Sequence, residues 1–199
     1  MSNNNSDNSI FFNSTNFNNQ EINTNNNNNN NNIFITITNA NSLKDKTKEL
    51  ERLLSQYYDK LTINVFTETC LQLKLSDNYL GRKWVHGLTT AEDRNGGVSI
   101  CYHAALGDAT ILNIFDKKLS NRLLPVKFSP PQHSEFVVVA VYIPASLQDR
   151  DKGVFLSAVL AETNALKLIY PNLILAGDFN TLLLSETNNM YHGFTTTEP

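Results

Sequence analysis

The chain has 199 residues, a formal net charge of −3 and 41% hydrophobic residues, which is enough apolar material for one globular domain. No block of Lys and Arg marks a nucleic-acid-binding stripe, and the two cysteines, Cys70 and Cys101, are too few for a disulfide framework or a thiolate zinc site. No signal peptide is visible, and the longest apolar run, residues 136–143, is too short to span a membrane. We therefore expect an intracellular protein of the nucleus or cytoplasm with no membrane partner.

Residues 1–32 form a low-complexity tail in which Asn, Ser and Thr dominate, and residues 25–32 are an unbroken run of Asn. A segment of this kind has too little apolar surface to offset the entropy lost when it is ordered. We expect residues 1–32 to be disordered and residues 33–199 to form a single domain.

After residue 32 the pattern changes to short β-branched runs and two amphipathic helical segments. Strands are predicted at residues 33–38, 61–66, 98–102, 110–115, 136–143 and 173–176. Helices are predicted at residues 43–61, with Ser42 as the N-cap, and at residues 151–169. Residues 76–95 are predicted to hold a short strand at most, and residues 125–134, which contain two consecutive prolines, to be a loop. This order predicts an α+β fold of two packed sheets flanked by helices.

Polar residues follow several of these strands directly. Gly177-Asp178-Phe179-Asn180 comes after a buried apolar run, Asn39 and Glu68 follow the first two strands, and Tyr142 lies near the end of another. Loops at the ends of strands can aim polar groups from a rigid scaffold, so these residues form one site if the strand ends converge. Carboxylates and carboxamides supply oxygen ligands, which suit Mg²⁺ or Mn²⁺ better than zinc.

Five segments in this order resemble the endonuclease/exonuclease/phosphatase superfamily, and most closely the apurinic-type endonuclease domains of non-LTR retrotransposons. The segments are residues 35–43, 65–71, 96–100, 141–144 and 175–180, which read ITITNANSL, VFTETCL, GGVSI, VYIP and LAGDFN. The resemblance implies a four-layer α/β/β/α sandwich with two mostly antiparallel sheets. It also implies Mg²⁺- or Mn²⁺-dependent hydrolysis of phosphodiester bonds, with DNA as the partner if the chain is active.

The resemblance also implies a role for each candidate site residue. Glu68 is the expected acidic metal ligand, with Asn41 beside it at the metal. Asp178 is expected to align or activate the attacking water, and Asn180 to bind the scissile phosphate or orient that water. Asn39 is expected near the metal and the nucleophile, and Tyr142 at a phosphate oxygen.

One part of the family pattern has no counterpart in this sequence. The pattern continues with a second Asp and an Asp-His pair well downstream of the Gly-Asp-Phe-Asn segment, whereas the only later histidine here is His192. We therefore expect a domain that is incomplete at its C-terminus, lacks the last strands of the fold, and hydrolyses DNA weakly or not at all. The alternatives are another phosphoesterase of the same superfamily and a catalytically inactive truncated remnant.

Overall fold

The structure is a computed structural model that describes residues 10–13, 33–44, 46–58, 60–71, 79–87, 96–131 and 133–180. Short 3₁₀ turns cover Tyr79–Gly81, Ala104–Leu106 and Lys117–Leu119. The strands and helices of the described residues are β1 (Ile10–Asn13), β2 (Ile33–Asn39), α1 (Thr47–Ser55), β3 (Leu61–Thr67), β4 (Lys83–His86), β5 (Val98–Tyr102), β6 (Ala109–Ile111), β7 (Leu123–Phe128), β8 (Phe136–Tyr142), α2 (Asp149–Ile169) and β9 (Leu173–Asp178). Among these residues, neither helix combines the length and the apolar composition that crossing a bilayer requires.

The strands form two mixed sheets. The larger sheet has the order β1-β9-β8-β7-β6, and the smaller sheet has the order β2-β3-β5-β4. The pairs β1–β9, β8–β9 and β2–β3 are parallel, and the other four pairs in the described residues are antiparallel. The two parallel pairs β2–β3 and β8–β9 matter most for function, because both strands of a parallel pair end at the same edge of the sheet.

The two sheets pack face to face around the main hydrophobic core. Alternate residues of each strand point inward, as the period of two in a β-strand requires. In β3 the inward residues are Ile63 and Val65, and in β8 they are Val138 and Ala140, all of them buried. Each sheet therefore has a second face that needs its own cover.

The helices supply that cover. Leu50 and Leu54 of α1 pack on the outer face of the smaller sheet, where Phe66 and Trp84 stack at a centroid distance of 5.5 Å. On the outer face of the larger sheet, α2 packs its buried Val159 and Leu166 in the cluster that also contains Val137, Val139, Val141, Leu173 and Leu175. The result is the four-layer α/β/β/α sandwich predicted from the sequence, with mixed sheets.

The first helix begins later than the sequence predicted. Helix α1 covers only Thr47–Ser55, Lys46 before it has no regular secondary structure, and residues 56–58 after it form a turn. Ser42 does not cap the helix, because its Oγ accepts a hydrogen bond from the backbone N–H of Lys44 at 3.2 Å in a local turn. Apolar residues at helical spacing extended the prediction, but Leu43 joins the cluster of Leu50 and Leu54 from the connection before the helix, and Leu61 opens β3.

The prediction of a loop at residues 125–134 is wrong for residues 125–128. Leu123–Phe128 forms β7, with Pro125 inside the strand. The missing N–H of Pro125 is tolerated because its neighbour β6 is short and pairs only with the last three residues of β7. The carbonyl of Pro125 still accepts a hydrogen bond from Leu112 N at 2.9 Å.

A part of the N-terminal tail also departs from the expected disorder. Ile10–Asn13 forms the edge strand β1, parallel to β9, with Ile10 in register with Ile174. This strand contains three successive apolar residues, which suit an edge strand better than the surrounding Asn-rich sequence does. The other residues of the segment 1–32 lie outside the described residues.

Candidate active site

The candidate site lies where the two parallel strand pairs end at one edge of the sandwich. In the smaller sheet, Asn39 at the end of β2 is in register with Thr67 at the end of β3, and Glu68 follows directly. In the larger sheet, Tyr142 at the end of β8 is in register with Asp178 at the end of β9. Each sheet therefore delivers one carboxylate and one neutral polar side chain to the same edge.

The side-chain amide of Asn39 joins the two sheets. Its Nδ2 donates to Glu68 Oε1 at 3.0 Å and to Asp178 Oδ2 at 3.0 Å. Its Oδ1 accepts from the backbone N–H of Asn41 at 3.0 Å, an arrangement that turns the NH₂ end toward the acids. A neutral donor between two carboxylates lessens their repulsion without adding charge. The structure thus brings together the strand ends that the sequence predicted to converge.

Hydrogen bonds between the loops fix these strand ends. Beyond β2 and β3, Ser42 N donates to Glu68 O at 2.7 Å and Leu43 N donates to the carbonyl of Thr69 at 2.9 Å. Beyond β8 and β9, Ile143 N donates to Asp178 O at 2.8 Å. The amide Nδ2 of Asn180 returns a bond to Ile143 O at 2.9 Å. Each pair of loops is therefore held together locally, and the Asn39 amide links one pair to the other.

Left-handed backbone is concentrated at this edge. The non-glycine residues with positive φ in the described part of the chain include Asn41 at 41°, Ser42 at 73°, Glu68 at 51° and Asn180 at 44°. Such conformations cost free energy and persist where the surrounding structure holds them, which is common at functional sites.

Asp178 is the buried acid of the site, with only 4% of its surface exposed. Burial raises the pKa of its carboxyl group above the ordinary value, and the nearby Glu68 raises the pKa further. Hydrogen bonds from Asn39 and from Asn180, whose backbone N–H donates to Asp178 Oδ1 at 3.1 Å, act in the opposite direction. The net shift is upward, so Asp178 holds a proton more readily than an exposed aspartate does.

Gly177 allows the two strands that carry the larger sheet's site residues to approach closely. A Cβ atom at this position would clash with the backbone of Val141 in β8. The glycine before Asp178 is therefore required by the packing of β9 against β8, and not only by the turn that follows.

Tyr142 belongs to the larger sheet and is 5% exposed, and from there it contacts both acids of the site. Burial, a hydrogen bond to Glu68 and the charges of both carboxylates raise the pKa of its phenol. The phenol therefore stays protonated at neutral pH and donates to the carboxylate of Glu68. The guanidinium of Arg122 lies 5.6 Å from the ring centroid of Tyr142, and its positive charge partly offsets the rise in the pKa of the phenol.

Asn41 is placed differently from the other predicted site residues. The residue is exposed, and the bonds that hold it are made by its backbone N–H to Asn39 and its carbonyl to Lys46.

No group of three or more His, Cys, Asp or Glu side chains suited to a metal ion occurs in the described residues. The donor chemistry nevertheless fits Mg²⁺ or Mn²⁺, which bind through one or two carboxylates and keep several waters. Glu68, half-buried at the edge, is the side chain best placed for this role.

Two cations at this edge were missed by sequence analysis. Arg122 precedes β7, and its carbonyl accepts from Tyr142 N at 2.9 Å. Lys46 precedes α1, and its ammonium contacts the loop that follows β2. A signal for Lys46 was present, because a lysine at the start of a helix is unfavourable to the helix dipole. Arg122 gave no signal, because it became a neighbour of the site only through the pairing of β7 with β8.

Solved structures share this fold. The 3′-5′ exonuclease NExo from Neisseria meningitidis matches with a TM-score of 0.58 and 22% identity, over 73% of this chain and 57% of that one. TDP2 from C. elegans matches with a TM-score of 0.53 and 11% identity, over 74% and 48% of the two chains. The endonuclease domain of TRAS1, a telomere-specific non-LTR retrotransposon, matches with a TM-score of 0.50 and 16% identity, over 74% and 60%.

The chain has the endonuclease/exonuclease/phosphatase fold. It spans 57% of the length of the NExo structure that it matches. Two further matching structures contain DNA: NExo, described there as a 3′ phosphatase, is bound to a product DNA hairpin, and TDP2 from D. rerio is complexed with a single-strand DNA product. No protein-family model matches the chain, and no curated protein sequence matches it significantly.

Proposed function

We propose that the chain hydrolyses phosphodiester bonds in DNA with the help of a divalent metal ion, as an endonuclease of the retrotransposon type. The observation that carries this proposal is the amide of Asn39, which joins the two acids. Its Nδ2 lies 3.0 Å from Glu68 Oε1 and 3.0 Å from Asp178 Oδ2. The endonuclease/exonuclease/phosphatase fold supports hydrolysis as the reaction class, and the DNA in two of the matching structures supports DNA as the substrate.

Glu68 would hold the Mg²⁺ or Mn²⁺ ion together with water, with Asn41 of the neighbouring loop after β2 as a further oxygen donor. When bound, the ion would neutralise negative charge that builds on the phosphate and on the leaving oxygen. Glu68 suits this role because it is half-buried, on a loop tied to its neighbour by the 2.7 Å bond from Ser42 N.

Asp178 would align the attacking water and accept its proton. Its raised pKa brings the carboxylate closer to the basicity that an efficient general base needs. Asn39 and the backbone N–H of Asn180 fix the two carboxylate oxygens at 3.0 and 3.1 Å. Asn180 would orient Asp178 and the water, while the phenol of Tyr142 and the charge of Arg122 would face the phosphate.

One other function is supported by a specific observation. Hydrolysis of a terminal phosphate is supported by the NExo structure described as a 3′ phosphatase, which is 22% identical with a TM-score of 0.56.

Nicking of supercoiled plasmid in the presence of Mg²⁺ tests this proposal. We expect weak nicking, in keeping with the incomplete family pattern, that stops when the metal is chelated and in the variant Asp178→Asn. A parallel reaction on a 3′-phosphorylated oligonucleotide separates the alternatives. Phosphate release without nicking would identify a phosphatase, and no reaction on either substrate would identify an inactive chain.

A further inference from the structure

We propose that Lys46 is a positioning residue of the candidate site, which acts by holding the peptide group between Ala40 and Asn41. The inference rests on the proposed function, because it concerns the same site. It is carried by two contacts of the ammonium group. Lys46 Nζ donates to Ala40 O at 2.6 Å and to Asn41 O at 2.8 Å.

The first of these contacts acts on Asn39 through one peptide plane. The carbonyl of Ala40 and the N–H of Asn41 belong to the same planar group and point in opposite directions. Lys46 binds the carbonyl end, and the N–H end donates to Asn39 Oδ1 at 3.0 Å. A cation on the carbonyl also polarises the peptide and strengthens its N–H as a donor. Lys46 therefore fixes the Asn39 amide with its NH₂ end toward the acids.

The position of Lys46 is unfavourable for the helix that it precedes. It is the N-cap of α1, where Ser, Thr, Asp or Asn is preferred, and it makes no side-chain cap hydrogen bond. A positive charge at this end also opposes the helix dipole. A residue that breaks a local rule in this way is expected to serve another part of the structure. Lys46 serves the loop after β2, through the carbonyls of Ala40 and Asn41.

The loop needs such support because its backbone is strained. Asn41 and Ser42 have φ values of 41° and 73°, in the left-handed region that disfavours both residues compared with glycine. Two hydrogen bonds from the Lys46 ammonium group hold this conformation. One is to the carbonyl of Ala40, just before the strained pair, and the other is to the carbonyl of Asn41, within it. Hydrogen bonds to a charged group contribute more than neutral ones, so the effect of losing them is measurable.

The experiment compares Lys46→Met, which keeps the length of the side chain without its charge, with Lys46→Arg, which keeps the donor. Lys48→Met is the matched control, because Lys48 is exposed on the first turn of the same helix. For the full chain, kcat and KM are measured for Mg²⁺-dependent nicking, and backbone amide exchange is measured at Asn41, Leu43 and Phe66.

We expect Lys46→Met to lower kcat about 10²-fold with little change in KM, since a displacement of about 1 Å in a site can have this effect. Amide exchange at Asn41 and Leu43 should become about tenfold faster, and exchange at Phe66 in β3 should not change. Lys46→Arg should restore both properties, and Lys48→Met should resemble the wild type.

Unchanged exchange at Asn41 and Leu43 in Lys46→Met would overturn the proposal. A raised KM with unchanged exchange would also overturn it, because that result would show a direct contact with the substrate. If the wild type hydrolyses nothing, the proposed function fails, but the exchange measurement still decides the role of Lys46. In that case, faster amide exchange in Lys46→Met together with wild-type exchange in Lys46→Arg would support the positioning role of Lys46 without any catalysis.

Discussion

The two halves of the site are built alike but hold their acids differently. The smaller sheet supplies Glu68 from a left-handed residue just beyond β3, where the side chain is half-buried. The larger sheet supplies Asp178 as the last residue of β9, where only 4% of it is exposed. A half-buried acid can bind a hydrated ion, whereas a buried acid with a raised pKa is suited to receive a proton. The environment of each acid, and not its type, separates the two roles.

The largest expected effect comes from removing the buried acid. Asp178→Asn should lower the rate of Mg²⁺-dependent nicking about 10³-fold, because loss of a general base typically costs 10²–10⁴. Plasmid nicking measures the effect, with Asp151→Asn on the exposed side of α2 as the control. A rate within threefold of the wild type would show that Asp178 does not take part in the chemistry.

The link between the two halves can be broken at Asn39. Asn39→Ala removes the donor shared by the two carboxylates and should lower kcat about 10²-fold through misalignment of the site. Exposed Asn113→Ala provides the matched control. If the nicking rate of Asn39→Ala equals that of the control, the amide is not needed to join the two halves.

The assignment of the metal to the smaller sheet is tested by Glu68→Gln. We expect Mg²⁺ affinity to fall about tenfold or more, because a neutral amide is a poorer ligand for a hard cation than a carboxylate. Calorimetric titration with Mg²⁺ measures this without any substrate, and exposed Glu51→Gln on α1 is the control. Equal affinities in the wild type and Glu68→Gln would remove Glu68 as the ligand.

The smallest effect concerns the pH dependence of stability. Because the pKa of Asp178 is raised in the folded chain, its protonated form stabilises the fold, and this contribution is lost as the pH rises through the folded pKa. Asp178→Asn lacks this titration. Its melting temperature should therefore rise relative to that of the wild type as the pH increases from about 3 to 7. We expect a relative shift of about 2–4 °C, which corresponds to about 1 kcal/mol in a domain of this size.

Thermal unfolding of the two proteins in a pH series provides the test. Parallel curves for the wild type and Asp178→Asn would mean that burial does not raise the pKa of Asp178, and the contrast between the two acids would then fail.

The sequence alone predicted the elements whose local pattern and tertiary environment agree. The run at 98–102 forms β5 with the same bounds, and the apolar run at 136–143 forms β8 with a boundary one residue shorter. Helix α2 begins two residues earlier than its predicted start at residue 151. β5 and β8 are apolar runs that are buried on both faces, and α2 packs one face on the larger sheet, so in each case local propensity and packing favour the same structure.

Other elements were decided by neighbours that are distant in sequence. Pro125 lies within β7 because β6 ends before reaching it, and Ile10–Asn13 is a strand because the edge of β9 provides hydrogen-bond partners. The early start predicted for α1 failed because the backbone of Leu43 bonds to Thr69 in the loop, while its side chain packs with Leu50 and Leu54 without being part of the helix. Short-range patterns contain no information about such partners.

The same division applies to the site. The sequence predicted that Asn39, Glu68, Tyr142 and Asp178 lie together, because polar residues at the ends of apolar strands mark the edge of a sheet. Only the tertiary structure determined that one amide contacts both acids, that Asp178 is the buried one, and that Lys46 holds the adjoining peptide. Residue type and strand position are local properties of the chain. Distance, burial and the orientation of an amide depend on how two sheets pack, which no local pattern encodes.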